Sequence, residues 1–206
     1  MKILILGDSF AADWSCKYQD YPGWPELLAG DFHVTNHAQA GVGEYKILCQ
    51  LQQVPDLDQY EIVIVSHTSP YRVHTPLHPV HARDQLHGNA DLIFTDCEYH
   101  GSRVRHWFNQ SLGSAIGYFK YHFDQSYYKT IYKLLRSEIN SILKNSHVIV
   151  VNNLPENLEF VTEANVLDFV KLWKEQPGKI NHYSQVGNKE IYNTIKQTIN
   201  QIYRKD

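Results

Sequence analysis

Met1-Lys2-Ile3-Leu4-Ile5-Leu6-Gly7-Asp8-Ser9-Phe10 is the stretch on which the fold reading turns. Within residues 2–6, Ile3 to Leu6 are apolar without alternation, include β-branched members, and stop at a glycine. A strand with one wet face would alternate. An unbroken run fits a strand buried on both faces, as in a parallel sheet. The run Ile3 to Leu6 is too short for the ~7–15 residue core of a secretory signal. It therefore reads as the first strand of a mature, cytoplasmic protein.

Working outward, Pro25 suits the first turn of a helix over 25–30. Phe32 to Asn36 is a second strand candidate. Ile47, Leu48, Leu51 and Val54 follow a helical period that Pro55 ends. Glu61 to Ser66 is the third strand. Residues 70–110 break the rhythm with three prolines and, counting His67 just before, seven histidines. An irregular insertion with one short helix is expected there. Tyr128, Ile131, Leu135, Ile139 and Ile142 predict an amphipathic helix over 125–144. His147 to Val151 is a fourth strand. Val166, Phe169, Val170 and Trp173 suggest helical pieces within 156–174. A last helix runs from Ser184 to Tyr203. The alternation predicts a single domain over 1–206, a three-layer α/β/α sandwich with a mostly parallel sheet.

Composition narrows the function. The 206 residues carry 19 Lys plus Arg against 22 Asp plus Glu, a net charge of -3. No basic footprint for a phosphate backbone is present, so nucleic acid is not an expected partner. No aliphatic run is long enough to span a bilayer. Cys16, Cys49 and Cys97 are odd in number and lack CxxC spacing, which fits free thiols in a reducing compartment. The 12 His and 14 Tyr suit a site that handles polar small molecules.

In an open parallel sheet, ligands bind beyond the carboxyl ends of the strands. Those ends carry Gly7-Asp8-Ser9-Phe10, Asn36-His37-Ala38-Gln39-Ala40-Gly41 and Ser66-His67-Thr68-Ser69-Pro70. Asn181-His182-Tyr183-Ser184 precedes the last helix. A serine hydroxyl becomes a nucleophile with an adjacent base, and histidine is the usual one near neutral pH. Alone, Gly-Asp-Ser also fits a turn capped by Asp8.

Together these blocks resemble the SGNH (GDSL-type) hydrolases, in family order from residue 7 to residue 188. The resemblance implies a flavodoxin-like sandwich, Ser9 as nucleophile and His182 as base. It implies oxyanion donors from the amides of Ser9 and Gly41, with Asn36 in the second block. No cofactor is implied. Two positions depart from the pattern. The third block normally has an Asn donor, and here the sequence is SHTSPYR, leaving Ser69 or Thr68 nearest that role. The acid usually found three residues before the histidine is replaced by Lys179, so Asn181, a backbone carbonyl or a carboxylate such as Glu175 would orient the ring.

His74, His78, His81 and His87 invite a zinc reading, but Pro76 and Pro79 prevent one helical face from presenting them. No HExxH pattern is present. A lid or substrate-contacting loop is expected instead, without a metal. Arg72, Arg83, Arg103 and Arg105 fall in or near it. The expected activity is hydrolysis of a small ester, with a lean toward acetyl on a carbohydrate. The rival is a non-catalytic binding or assembly module on the same fold. A nucleotide binder ranks last, since GDSFAAD has neither a GxGxxG nor a Walker pattern.

Overall fold

The computed structural model describes residues 1–14, 20–103, 109–161, 163–178 and 182–204. Five strands form one parallel sheet: β1 (Lys2–Gly7), β2 (His33–Asn36), β3 (Ile62–Ser66), β4 (Val148–Asn152) and β5 (Val166–Asp168). Their order is β2-β1-β3-β4-β5. Every neighbouring pair is parallel, with Ile3 opposite Val34 on one side and Ile62 on the other. This is the flavodoxin-like order, whose reversal of direction at β1 leaves a crevice at the strand ends.

The unbroken apolar run of β1 is explained by what lies on each face. Ile3 and Ile5, with Ile62, Ile64, Ile149 and Val151, meet Trp24 and Leu28 of α1 (Trp24–Ala29) and Ile191, Ile195 and Ile199 of α7 (Gln185–Tyr203). Leu4 and Leu6, with Val63 and Val65, meet Ile47, Leu48 and Leu51 of α2 (Glu44–Gln52) and Ile139 of α5 (Gln125–Ile142). Successive side chains thus enter opposite cores. All four from Ile3 to Leu6 are fully buried, which stabilises by about 1.5–3 kcal/mol per side chain. Asp124 caps α5 by accepting from the amides of Ser126 and Tyr127.

Two elements correct the sequence reading. The segment 156–174 does hold helical pieces, a 3-10 helix at Pro155–Phe160 and α6 (Val170–Glu175), but Val166 to Asp168 between them is a short edge strand. The region 70–110 holds the expected short helix, α3 (Phe94–Arg103), and a further helix that the sequence reading lacks, α4 (Gln110–Tyr121), begins at its end. Leu112, Ala115 and Ile116 of α4 pack on Cys97 of α3, with Val80, Leu92, Phe94 and Phe119 around them. The loop before α3 is closed by an antiparallel bridge between Val73 and Leu92. It is fastened to α2 by Lys46, whose Nζ lies 2.8 Å from Asp91 and donates to the carbonyls of Thr75 and Asn89. Asp91 also accepts from the amides of Gly43 and Thr75. Among the described residues no helix is long and apolar enough to cross a membrane. Cys49 and Cys97 are free thiols, and Cys16 lies outside the described residues.

Candidate active site

β1 delivers Ser9 through a tightly constrained turn. Gly7 has φ +150°, and a Cβ there would lie 2.6 Å from the Ser66 carbonyl, so no other residue fits. The Gln50 side chain clamps it, accepting from the Gly7 amide at 2.9 Å and donating to its carbonyl at 3.1 Å. Asp8 turns inward and is buried. Its carboxylate accepts from the Phe10 amide and from the hydroxyls of Ser66 and Thr68. Asp8 therefore does cap the turn, and Ser9 is left facing outward, half-buried. Burial pushes the Asp8 carboxyl up to about 6, against the lowering influence of the Arg72 charge and its hydrogen-bond donors. Behind it runs a buried chain: Asn153 donates to Ser66 Oγ, and Tyr183 donates to Asn153 Oδ1.

The other strand ends contribute unequally. Asn36 donates to the Ala11 carbonyl at 2.9 Å and accepts from the Ala38 amide, tying β2 to the loop after Ser9. Gly41 has φ +78°, and a Cβ would come within 2.7 Å of Ala90 Cβ. Neither the Ser9 amide nor the Gly41 amide has an acceptor among the described residues. Past β3, Thr68 is fully buried and its Oγ1 accepts from Arg72 Nε at 3.0 Å. Its one hydroxyl hydrogen goes to Asp8. Ser69 accepts from the Tyr71 amide and lines a second, smaller pocket with Tyr45, Tyr128 and Tyr132.

Ser9 and His182 line the same cleft, of about 620 Å³. His182 stands just ahead of α7, which starts with Ser184 capping the Gly187 amide. The Gly178 amide donates to the His182 carbonyl, and Pro177 bridges to Tyr183. The ring rests against Trp14, with centroids 4.6 Å apart, and Phe10, at 5.2 Å. Trp14 in turn donates from Nε1 to the Ser9 carbonyl at 2.7 Å. One aromatic residue thus touches both the serine turn and the histidine. Asn181 and Lys179 lie outside the described residues. Glu175 pairs with Lys171 on α6.

Phe10, Gly41, Leu154 and Trp173 also line the cleft, and Arg72, His78, His81, His87, Asp91, Asp96 and Tyr99 of the segment after β3 add to the lining. Of the four arginines in the insertion, Arg72 lines the cleft. Arg103 stacks on Tyr99, Arg83 is exposed, and Arg105 lies outside the described residues. The sequence assigns no site role to Trp14, Arg72 or Asp96, whose places in the cleft depend on distant partners: His182, Gly41 and His81 respectively.

Among the described residues, His78, His81 and Asp96 come together as a possible metal-ligand set, with ligand atoms within 4.8 Å of one another. A loop achieves what no single helical face could. Yet Nδ1 of His78 accepts from the amides of Val80 and His81, both at 3.2 Å. That nitrogen bears no hydrogen, so the neutral ring carries it on Nε2, the atom 3.6 Å from Asp96. A ligand nitrogen needs a free lone pair. The arrangement is therefore a carboxylate ringed by imidazoles: His81 Nε2 is 3.1 Å from one Asp96 oxygen and His100 Nε2 is 3.5 Å from the other. Burial, and then the neighbouring His81, push His78 down to about 4, which keeps it neutral. Burial alone would raise Asp96, but the His81 hydrogen bond and the surrounding imidazoles hold it below the ordinary carboxylate value.

No family model matches the chain, and no curated protein matches it. Among solved structures it is similar to the psychrotrophic esterase EstA from Pseudoalteromonas sp., at 15% identity over 97% of this chain and 98% of that one, with a TM-score of 0.49. It is similar to a G-D-S-L family protein from Desulfitobacterium hafniense, at 13% identity over 95% and 98%, TM-score 0.47. It is also similar to a lipase/acylhydrolase from Enterococcus faecalis, at 17% identity over 96% and 94%, TM-score 0.40. Likenesses this low say nothing about activity. The fold stands on the sheet itself: a five-stranded parallel sheet in flavodoxin-like order, covered by helices on both faces.

Proposed function

We propose that this chain is a serine esterase of the SGNH type. One observation carries the reading. Ser9 and His182, far apart in the chain, line one cleft, and the amides of Ser9 and Gly41 there have no acceptor among the described residues. In the reaction, His182 takes the Ser9 hydroxyl proton as Oγ attacks the ester carbonyl. The tetrahedral oxyanion is held by the two amides. Collapse breaks the bond to the leaving alcohol, which receives the proton from His182. Water, deprotonated by the same ring, then releases the acid and restores Ser9. Phe10 and Trp14 hold the imidazole by ring packing.

The substrate reading is a short acyl ester on a polar, sugar-like alcohol. The cleft supports it by combining aromatic residues, Phe10, Tyr99 and Trp173, with imidazoles and carboxylates in one lining.

A fluorophosphonate probe read by intact mass tests the nucleophile. One adduct is expected on the wild type and none on Ser9→Ala, with His182→Ala labelled at least 100-fold more slowly. No adduct on the wild type transfers the weight to a non-catalytic binding module. A chain-length series of esters tests the substrate class. Preference for long acyl chains over acetate would overturn it.

A further inference from the structure

The family pattern puts an oxyanion-binding Asn after the third strand, and this chain has none there. The same loop, however, brings a cation into the cleft. Arg72 Nε donates to Thr68 Oγ1 and Nη1 donates to the Gly41 carbonyl, both at 3.0 Å. Its Cβ lies against Gly43, 3.3 Å from where a Cβ would sit on that residue. The guanidinium plane is thereby fixed by two neutral acceptors, and neither bond uses Nη2. Among the described residues Nη2 has no acceptor. Arg72 lines the cleft beside Ser9 and Gly41.

We propose that Arg72 is a catalytic residue that takes over the missing Asn position, aiming Nη2 at the developing oxyanion. This rests on the Ser9 nucleophile reading above. A guanidinium suits the task for three reasons. It is charged at all working pH values, so it stabilises the anion more than a neutral amide does. It is planar, so two bonds to protein fix where the remaining donors point. It is held before substrate arrives, so little reorganisation is needed during the reaction. Thr68 is then a positioning residue. It accepts from Arg72 and donates to Asp8, linking the guanidinium to the turn that presents Ser9. The degraded third block is in this view a replaced one. The donor has moved along the loop and become cationic.

The test combines adduct formation, steady-state kinetics on a short-chain aryl ester and chemical rescue. Arg72→Met is expected to lower kcat about 100- to 1,000-fold with little change in KM, and to slow fluorophosphonate labelling comparably. Arg72→Lys keeps charge but loses the planar fork. It is expected to remain at least 10-fold impaired, and a melting temperature near wild type guards against a folding defect. Guanidinium or methylguanidinium added to Arg72→Ala is expected to restore part of the rate, and to leave Ser9→Ala and wild type unaffected. A structural role would give no such rescue. Thr68→Ser is expected to behave as wild type, with Thr68→Val impaired. If Arg72→Met and Arg72→Lys label at the wild-type rate, or their defect is confined to KM, the role of Arg72 is overturned and Ser9 stands. If the wild type itself takes no label, the nucleophile reading falls and the Arg72 role with it.

Discussion

On one side of the cleft, Ser9, Phe10 and Gly41 hang from the ends of β1 and β2. On the other, Arg72, His78, His81 and Asp96 hang from the excursion between β3 and α5. The first wall inherits its position from the sheet. Its main strand, β1, is buried from Ile3 to Gly7 and flanked by β2 and β3, and its turn is set by Gly7 against the Ser66 carbonyl. The second wall has no strand beneath it. It is held by Lys46, Asp91 and a small satellite core around Cys97 and Leu112. A sheet edge is built from many repeated bonds, whereas a stapled loop depends on a few polar groups whose loss leaves charges buried. The reaction proposed above would run between a rigid half and a fastened half.

The contrast is most sharply broken at Asp91. Replacing it with alanine strands the buried Lys46 ammonium and two backbone amides. The expected loss is about 3–5 kcal/mol in denaturant unfolding, with the Arg72 side of the cleft freed first. Hydrogen exchange should show 73–92 opening while β1 and β3 stay protected. A double variant, Lys46→Met with Asp91→Leu, should recover part of the stability, because no buried charge remains. Equal opening of β1 in Asp91→Ala would show that the two walls are one cooperative unit.

Gln50→Ala attacks the sheet-borne wall instead. It leaves the Gly7 amide unsatisfied in a buried turn, while the Gly7 carbonyl keeps the Gln39 amide, an expected loss of about 1–3 kcal/mol with the insertion undisturbed.

The smallest effect is a pH signature. His78 is held neutral in the fold, near 4 against an ordinary 6.5. Its contribution to stability is complete above pH 6.5 and is lost as pH falls toward 4, where the unfolded chain binds the proton first. Asp8 acts with the opposite sign. Its folded value near 6 exceeds 3.8, so the fold gains stability as pH drops through that window. Melting temperatures from pH 7.5 to 4.5 should flatten on the acid side in His78→Gln. They should fall more steeply there in Asp8→Asn. Identical profiles for both variants would remove the distinction.

How much of this was legible in the sequence follows the same division. β1, β3 and β4 announce themselves because burial on both faces demands unbroken aliphatic runs. β5 has three residues at the sheet edge. Val166, Phe169, Val170 and Trp173 happen to fall at helical spacing across its end, so periodicity points the wrong way. The helix α4 was readable from Leu112, Ala115, Ile116 and Phe119, although Gly113 and Gly117 dilute its propensity. At the cleft, Ser9 and Gly41 stand at strand ends, where local pattern locates them. Arg72 and Asp96 are placed by partners such as Gly41 and His81, 31 and 15 positions away, and no local pattern encodes those meetings.

The central seat of β1 also dictates a timetable. Its Ile3 pairs with Ile62, 59 positions later, and its odd-numbered face is covered by Ile191 to Ile199. At synthesis rates of about 5–20 residues per second, the strand waits roughly 3–12 s for its second sheet neighbour and longer for its helical cover. A greasy segment made early is thus left bare while ribosomes finish the chain, which makes it a natural client for chaperones. The same schedule keeps Ser9 apart from His182 until nearly all of the described chain has been made, so a nascent chain carries the hydroxyl without its proposed base.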